Sequence, residues 1–259
     1  MKITTKTILK SKGNSKLTMI TAYDAIFARI ADKAGAEIIL VGDSLGNTVL
    51  GCGSTIPVTI DIMAHHTAAV ARGTTVALVV ADLPFGCAHF GFERLLEDCR
   101  ILFQRGNAQA VKIEGGAEIA EKVSKLTAAG IAVMGHIGLQ PQQVFKLGGY
   151  RKFGKTPQER DQLVADAVAL EKAGVFAIVL EMVDEAAAEA VTNAVNVPTI
   201  GIGAGSACDG QVLVCYDLLG LSQFTPSFAK KYADLSEIMT KAYSDFVADV
   251  RGGSFPEKK

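Results

Sequence analysis

Gly106-Asn-Ala-Gln-Ala-Val-Lys-Ile-Glu-Gly-Gly116 shows in one short run how the whole chain is built. A helical stretch ends at Gly106, a strand-length run follows from Ala110 to Ile113, and ionisable side chains sit at its end. Glycine after a helix supplies the left-handed conformation that stops it and releases the chain toward a strand. Side chains alternate along a strand, so Lys112 and Glu114 share one face while Val111 and Ile113 take the other, against helices. The same joint recurs along the sequence. Gly35 precedes Glu37–Val41, Gly73 precedes Val76–Ala81, Gly130 precedes Ile131–Met134, and Gly174 precedes Phe176–Leu180.

Between these joints the apolar residues follow the helical period. Ile26, Phe27, Ile30 and Ala34 predict one buried face, and Ile62, His66, Ala69 and Gly73 another. Thr156, Pro157 and Glu159 form a capping start for a helix striped by Leu163, Ala167 and Leu170. Further strands are predicted at Leu17–Ala22, Thr199–Gly203 and Gln211–Cys215. The strand runs are almost continuously apolar, as in a parallel sheet covered on both faces. Eight strands alternating with helices predict an α/β fold, a (β/α)8 TIM barrel in a single domain over residues 1–259, with an open doubly wound sheet as the alternative. The long segments Leu45–Thr59 and Leu139–Thr156 follow strand ends, where barrels carry their lids.

Composition narrows the function. Against 27 Asp+Glu stand 26 Lys+Arg, a net charge of −1, so no basic field exists to hold nucleic acid or an anionic membrane. A small-molecule partner is expected instead. The five cysteines are Cys52, Cys87, Cys99, Cys208 and Cys215; an odd number without C-x-x-C spacing suits reduced thiols in the cytoplasm. The lysine-rich start, Met1 to Lys16, has no apolar core of a secretory signal, and the apolar runs are too short to span a membrane.

The strand ends carry the chemistry. Asp43-Ser44 follows the second strand, Asp82 the third, Lys112 and Glu114 the fourth, His136 the fifth and Glu181 the sixth. Barrel active sites gather at this rim. Period-two alternation puts Asp43 on the face of Ile39 and Val41, and Asp82 on that of Val80. Singly, Asp43 and Asp82 could cap turns. Together with Glu114 they form an all-oxygen set that suits Mg²⁺ better than zinc. Lys112 pairs either with Glu114 or with a substrate carboxylate. Glu181 follows four apolar residues, a setting that raises a carboxyl pKa toward that of a general base. His136 reads as a spacer or an auxiliary, and His65 and His66, adjacent on a helix, as structural. Gly201-Ile-Gly-Ala-Gly205 fits a tight turn or a phosphate cradle, but not a dinucleotide motif.

Several motifs occur in order: Thr21-Ala-Tyr-Asp24, Val41-Gly-Asp-Ser-Leu-Gly46, Ser54-Thr-Ile-Pro-Val-Thr59, Ala81-Asp-Leu-Pro84 and Val111-Lys-Ile-Glu-Gly-Gly116. They continue with Gly135-His-Ile-Gly-Leu139, Leu147-Gly-Gly-Tyr150, Gly201-Ile-Gly-Ala-Gly205 and Asp209-Gly-Gln-Val-Leu-Val214. The set resembles the ketopantoate hydroxymethyltransferases of pantothenate and coenzyme A synthesis over nearly the whole chain. Gly51-Cys-Gly53, Ser206 and Phe85–Phe92 depart from that family's usual pattern. The resemblance implies a homodecamer, Mg²⁺, a 2-oxo acid substrate and 5,10-methylenetetrahydrofolate as one-carbon donor. It implies Asp43 and Asp82 as direct metal ligands and Glu114 as a ligand through water. It implies substrate contacts at Asp43, Ser44, Asp82 and Lys112, Glu181 as the catalytic base, and a position near the site for His136. Two other classes are weighed against it. One is a phosphoenolpyruvate mutase or isocitrate-lyase-like lyase, disfavoured by the lack of a K-x-C-G-H motif; the other is a non-catalytic binding barrel.

Overall fold

The computed structural model describes residues 2–256, which fall into two compact units, one through Leu213 and one from Val214. The single domain expected over residues 1–259 spans both. In the first unit eight parallel strands close into a barrel in sequence order, which excludes the open sheet. They are β1 (Leu17–Thr21), β2 (Ile38–Val41), β3 (Leu78–Asp82), β4 (Ala110–Glu114), β5 (Val133–Gly138), β6 (Ala177–Glu181), β7 (Thr199–Ile202) and β8 (Gly210–Leu213). Helices α1 (Thr5–Leu9), α2 (Ala25–Lys33), α3 (Leu45–Thr48), α4 (Ile60–Gly73), α5 (Phe92–Gln104) and α6 (Ala120–Ala128) accompany the first half. Helices α7 (Val144–Leu147), α8 (Pro157–Lys172) and α9 (Glu185–Ala194) accompany the second. The second unit holds α10 (Cys215–Leu219) and the amphipathic α11 (Leu235–Gly252), with Tyr232 N–H bonded to the Leu218 carbonyl.

The interior is filled by alternate residues of every strand. Met19, Ile38, Leu40, Leu78, Val80, Ala110, Met134, Val179, Ile200 and Val212 form one buried cluster. Ile8 of α1 joins it and is fully buried, so the N-terminal mouth is plugged by an aliphatic side chain. Each such burial contributes roughly 1.5–3 kcal/mol.

Several strands run further than their apolar residues suggest. β3 includes Asp82, β4 includes Glu114, and β5 begins at Val133 rather than Ile131 and continues to Gly138. Parallel ladders are made by the backbone, so pairing persists where the inward side chains turn polar. The register sets Asp82 beside Lys112 and Glu114 beside His136.

Two helix faces differ from expectation. On α2 it is Ala28 and Ala31 that are buried, while Ile26 and Ile30 are each 64% exposed. On α4 the buried face is Met63, Thr67, Val70 and Gly73, one position on from the stripe expected. The cause lies where α2 meets α4: a Cβ on Gly73 would collide with the Ala25 backbone, so the helices approach through small residues. α8 matches its sequence reading, with the Thr156 hydroxyl accepting from Glu159 N–H and Leu163, Ala167 and Leu170 buried.

The barrel's shortest ladder is β7–β8, paired only at Ile200–Gly210 and Gly201–Gln211. Asp209 reinforces it. Its carboxylate accepts from Thr199 N–H at 2.9 Å, Lys12 Nζ at 2.9 Å and Gly13 N–H at 3.3 Å. Asp209→Ala leaves these donors without an acceptor and should lower stability by on the order of 2 kcal/mol. The check is a urea titration; an unchanged midpoint would show that the seam closes without the carboxylate.

Candidate active site

The inward alternation that packs the barrel also builds its mouth. β3, β4, β5 and β6 each place one more inward side chain beyond their last apolar one: Asp82, Lys112 followed by Glu114, His136, and Glu181. Asp43 arrives differently. Ile38 and Leu40 face inward on β2, not Ile39 and Val41, so Asp43 is not carried in by strand alternation. β2 stops at Val41, and the chain turns at Gly42, where a Cβ would lie 2.7 Å from Ser44 Oγ and 3.5 Å from Asp82 Oδ2. The bare glycine leaves that space open. Asp43 N–H then donates to Asp82 Oδ2 at 3.0 Å, which fixes the turn against β3.

Five of these side chains are buried: Asp43, Asp82, Lys112, Glu114 and His136. Glu181 keeps a side-chain exposure of 19%. Lys112 Nζ lies 2.8 Å from Asp82 Oδ1 and 3.1 Å from His136 Nδ1. Ser44 stands at the rim, its hydroxyl 2.9 Å from Tyr23 Oη, which in turn accepts from Thr21 Oγ1 at 3.0 Å.

The electrostatics follow from four acids around one lysine. Burial opposes the charge on Lys112, but the carboxylates of Asp82, Glu114 and Asp43 outweigh it and hold its pKa above the usual value. Burial, with the Asp82 charge added, raises Asp43 to about 7. Burial and the Asp43 charge raise Glu114 well above the usual carboxylate range. Burial raises Glu181 to about 7, against the pull of Lys112. Burial and then the Lys112 charge push His136 well below its usual value, so it is neutral.

That neutrality settles its tautomer. Lys112 can only donate, so His136 Nδ1 is the acceptor and the ring proton resides on Nε2. Nε2 is the atom 3.2 Å from Glu181 Oε2. Asp82, Lys112 and His136 are thus linked across β3, β4 and β5, and Glu181 on β6 lies beside a His136 Nε2 that has no hydrogen-bond partner among the described residues.

Two contributors escaped the sequence reading. Gln142, buried in the loop after β5, donates from Nε2 to Asp43 Oδ2 and to the Leu83 carbonyl, both at 2.9 Å. Its own N–H reaches Glu114 Oε2 at 3.3 Å. Only its place just past a strand end signalled it, and neutral amides were passed over in favour of ionisable groups. Tyr23, buried just past the end of β1, carried the same positional signal. Tyr150, in the second long loop, has its phenol pKa raised by burial and by the charges of Glu181, Asp43 and Glu114.

Other candidates stand apart. His66 Nδ1 lies 2.7 Å from the Tyr23 carbonyl, a structural contact as expected. At Gly201–Gly205 the Glu185 carboxylate already accepts from Ser206 N–H at 3.2 Å, which favours the turn over the phosphate cradle.

Among the described residues no group of three His, Cys, Asp or Glu side chains forms a ready-made metal cage. The carboxylates of Asp43 and Asp82, with Glu114 near them, are the oxygen donors that a hard cation such as Mg²⁺ takes. The surplus of buried negative charge fits the same ion.

A sequence model described as ketopantoate hydroxymethyltransferase matches residues 2–258. The 3-methyl-2-oxobutanoate hydroxymethyltransferase of Staphylothermus marinus is 50% identical, the match covering 100% of this chain and 95% of that one. The protein of the same name from Thermotoga maritima is 53% identical over 96% of this chain and 93% of its own. Among solved structures, 2,3-dimethylmalate lyase, a PEP mutase/isocitrate lyase superfamily member, superposes with a TM-score of 0.63 at 16% identity. That match covers 100% of this chain and 91% of the lyase, and at this identity it speaks for the fold alone.

The raised acids set a pH dependence. Unfolded Asp and Glu ionise near pH 4, so from there to about 7 the fold binds more protons than the unfolded chain, and stability falls as pH rises. His136 acts in the opposite sense, but only below about pH 6.5, where the unfolded imidazole is charged. Three raised acids outweigh that one imidazole, so metal-free protein should lose stability between about pH 4.5 and 7 in urea titrations with chelator, and Asp43→Asn should reduce the loss. A wild-type midpoint that is constant or rises across that window would contradict the raised carboxyl values.

Proposed function

The chain belongs to the ketopantoate hydroxymethyltransferase family, and from that membership we propose that its strand-end acids convert 3-methyl-2-oxobutanoate into an enolate that takes a one-carbon unit from 5,10-methylenetetrahydrofolate. The enzyme is a hydroxymethyltransferase, and the step is the ketopantoate-forming one of pantothenate biosynthesis. The observation that carries the mechanism is the convergence of Asp82, Lys112, Glu114, His136 and Glu181 from four neighbouring strand ends, with Asp43 tied to them through Gln142 and Asp82.

In this reading Asp43 and Asp82 would hold Mg²⁺ with Glu114 in support, and the ion would supply positive charge that favours the enolate over the ketone. Lys112 attracts the substrate carboxylate. Asp43, Ser44 and Asp82 fix the oxo acid at the rim. Glu181, partly open to the mouth and raised to about 7 by burial, removes the proton from C3 as a base matched to neutral pH. His136, uncharged, stands with its Nε2 3.2 Å from the Glu181 carboxylate and serves as a neutral neighbour of the base. Water adds to the carrier's methylene carbon as its bonds to N5 and N10 break, which frees tetrahydrofolate and leaves the one-carbon unit as formaldehyde. The C3 carbanion then bonds to that carbon, and its oxygen, which came from the water, takes a proton and becomes the hydroxyl of 2-dehydropantoate.

A homo-oligomer, a decamer by family resemblance, belongs to the same proposal. Ile26 and Ile30, exposed on one face of α2, support association of copies. A cytoplasmic setting is proposed with it, supported by five free thiols. No helix among the described residues is long and apolar enough to cross a membrane.

Purified protein with Mg²⁺, 3-methyl-2-oxobutanoate and 5,10-methylenetetrahydrofolate should yield 2-dehydropantoate by mass spectrometry, and chelator should abolish it. Glu181→Gln should lower kcat about 10²–10⁴-fold with little change in KM for the oxo acid. Full activity in that variant would remove Glu181 from the role of base.

A further inference from the structure

A cavity of about 460 Å³ opens on the same end of the barrel as the acids. Ile56 comes to it from the segment after β2, Phe85 from that after β3, Glu118 from that after β4, and Gln142, Phe145 and Lys146 from that after β5. Neither Asp82, Lys112 nor Glu181 lines it. It is therefore not the place of the 2-oxo acid, whose carboxylate needs the lysine and the cation. A five-carbon acid would also leave most of the space empty.

We propose that this cavity seats the one-carbon donor, with the carrier's flat heteroaromatic ring system held between Phe85 and Phe145. The inference rests on the folate-dependent reading given above and adds where the carrier binds and which residues hold it.

The first argument is chemical. Phe85 is 50% exposed and Phe145 79% exposed, with Ile56 beside them. Aromatic faces left open to water on a cavity wall are stabilised by stacking on a planar ring. The polar groups suit the rest of such a carrier. Glu118 is held by Gly116 N–H at 3.0 and 3.1 Å, which orients its carboxylate and leaves lone pairs to accept from ring N–H donors. Lys146, exposed at the edge, offers a positive charge to an anionic tail. A cavity of this volume is within the range of cofactor sites.

The second argument is position. Gln142 is the shared wall: it lines the cavity, and its side chain donates to Asp43 Oδ2 and the Leu83 carbonyl. Its N–H faces Glu114. A ring seated against Gln142 is one side chain away from the acids, close enough to present its methylene to a substrate bound there. The segment Phe85–Phe92, which departs from the family pattern, thereby gains a role in carrier binding.

The test compares wild type, Phe85→Ala, Phe145→Ala and the double variant in steady-state kinetics. Calorimetric titration with tetrahydrofolate provides direct binding. KM for 5,10-methylenetetrahydrofolate and Kd for tetrahydrofolate should rise about tenfold per aromatic removed, while KM for 3-methyl-2-oxobutanoate stays within about twofold of wild type. Both residues are exposed, and an unchanged oxo-acid KM shows that the barrel is intact. Folate constants unaltered in the double variant would overturn the proposal, as would equal rises in both KM values. Wild type that neither binds tetrahydrofolate nor turns over its methylene form would instead overturn the folate reading itself, and this proposal with it.

Discussion

The site depends on the 2.8 Å pair between Lys112 and Asp82, a cation buried among four acids at the end of a parallel barrel. One ammonium cannot offset four carboxylates. Asp82 helps keep the lysine charged, and burial, aided by the lysine, keeps His136 neutral. Burial, with carboxylate repulsion added at Asp43 and Glu114, is why Asp43, Glu114 and Glu181 hold their protons to higher pH. An arrangement of this kind destabilises the fold and is kept for chemistry. The packed interior below and Ile8 at the far mouth keep it in a low-dielectric setting where its charges act strongly.

Different elements supply rigidity and reach. Strand ends hold Asp82, Lys112, Glu114, His136 and Glu181 through the parallel ladders that join β3 to β6. Loops supply Asp43, Ser44 and Gln142, each tied back to the strands or to one another by a hydrogen bond. The loop after β5 does two things at once: Gln142 steadies Asp43 and Glu114, and Phe145 lines the neighbouring cavity. Sites for two substrates can share a wall in this way without sharing ligands.

Much of this is legible in the amino-acid sequence, and the failures are informative. Five strand-end residues could be assigned because a parallel ladder carries its inward period through to the mouth. Asp43 reaches the mouth by a route that alternation does not predict: it follows the strand, and the turn at Gly42 brings it in. The buried face of α2 was misread because Ile26 and Ile30 are its most apolar residues, yet the close approach of α4 admits only alanine there. Gln142 was missed because a neutral amide has no periodicity and no charge to mark it. Its role exists only once the loop after β5 folds back over β2 and β4.

The most direct test of the enolising role is deuterium exchange at C3 of 3-methyl-2-oxobutanoate, followed by proton NMR in heavy water with wild-type protein, Mg²⁺ and no folate. The account predicts enzyme-catalysed loss of the C3 proton signal that stops when chelator is added, because proton removal precedes any encounter with the one-carbon donor. A C3 signal that persists at the uncatalysed rate, in protein that still forms 2-dehydropantoate when folate is supplied, would contradict it.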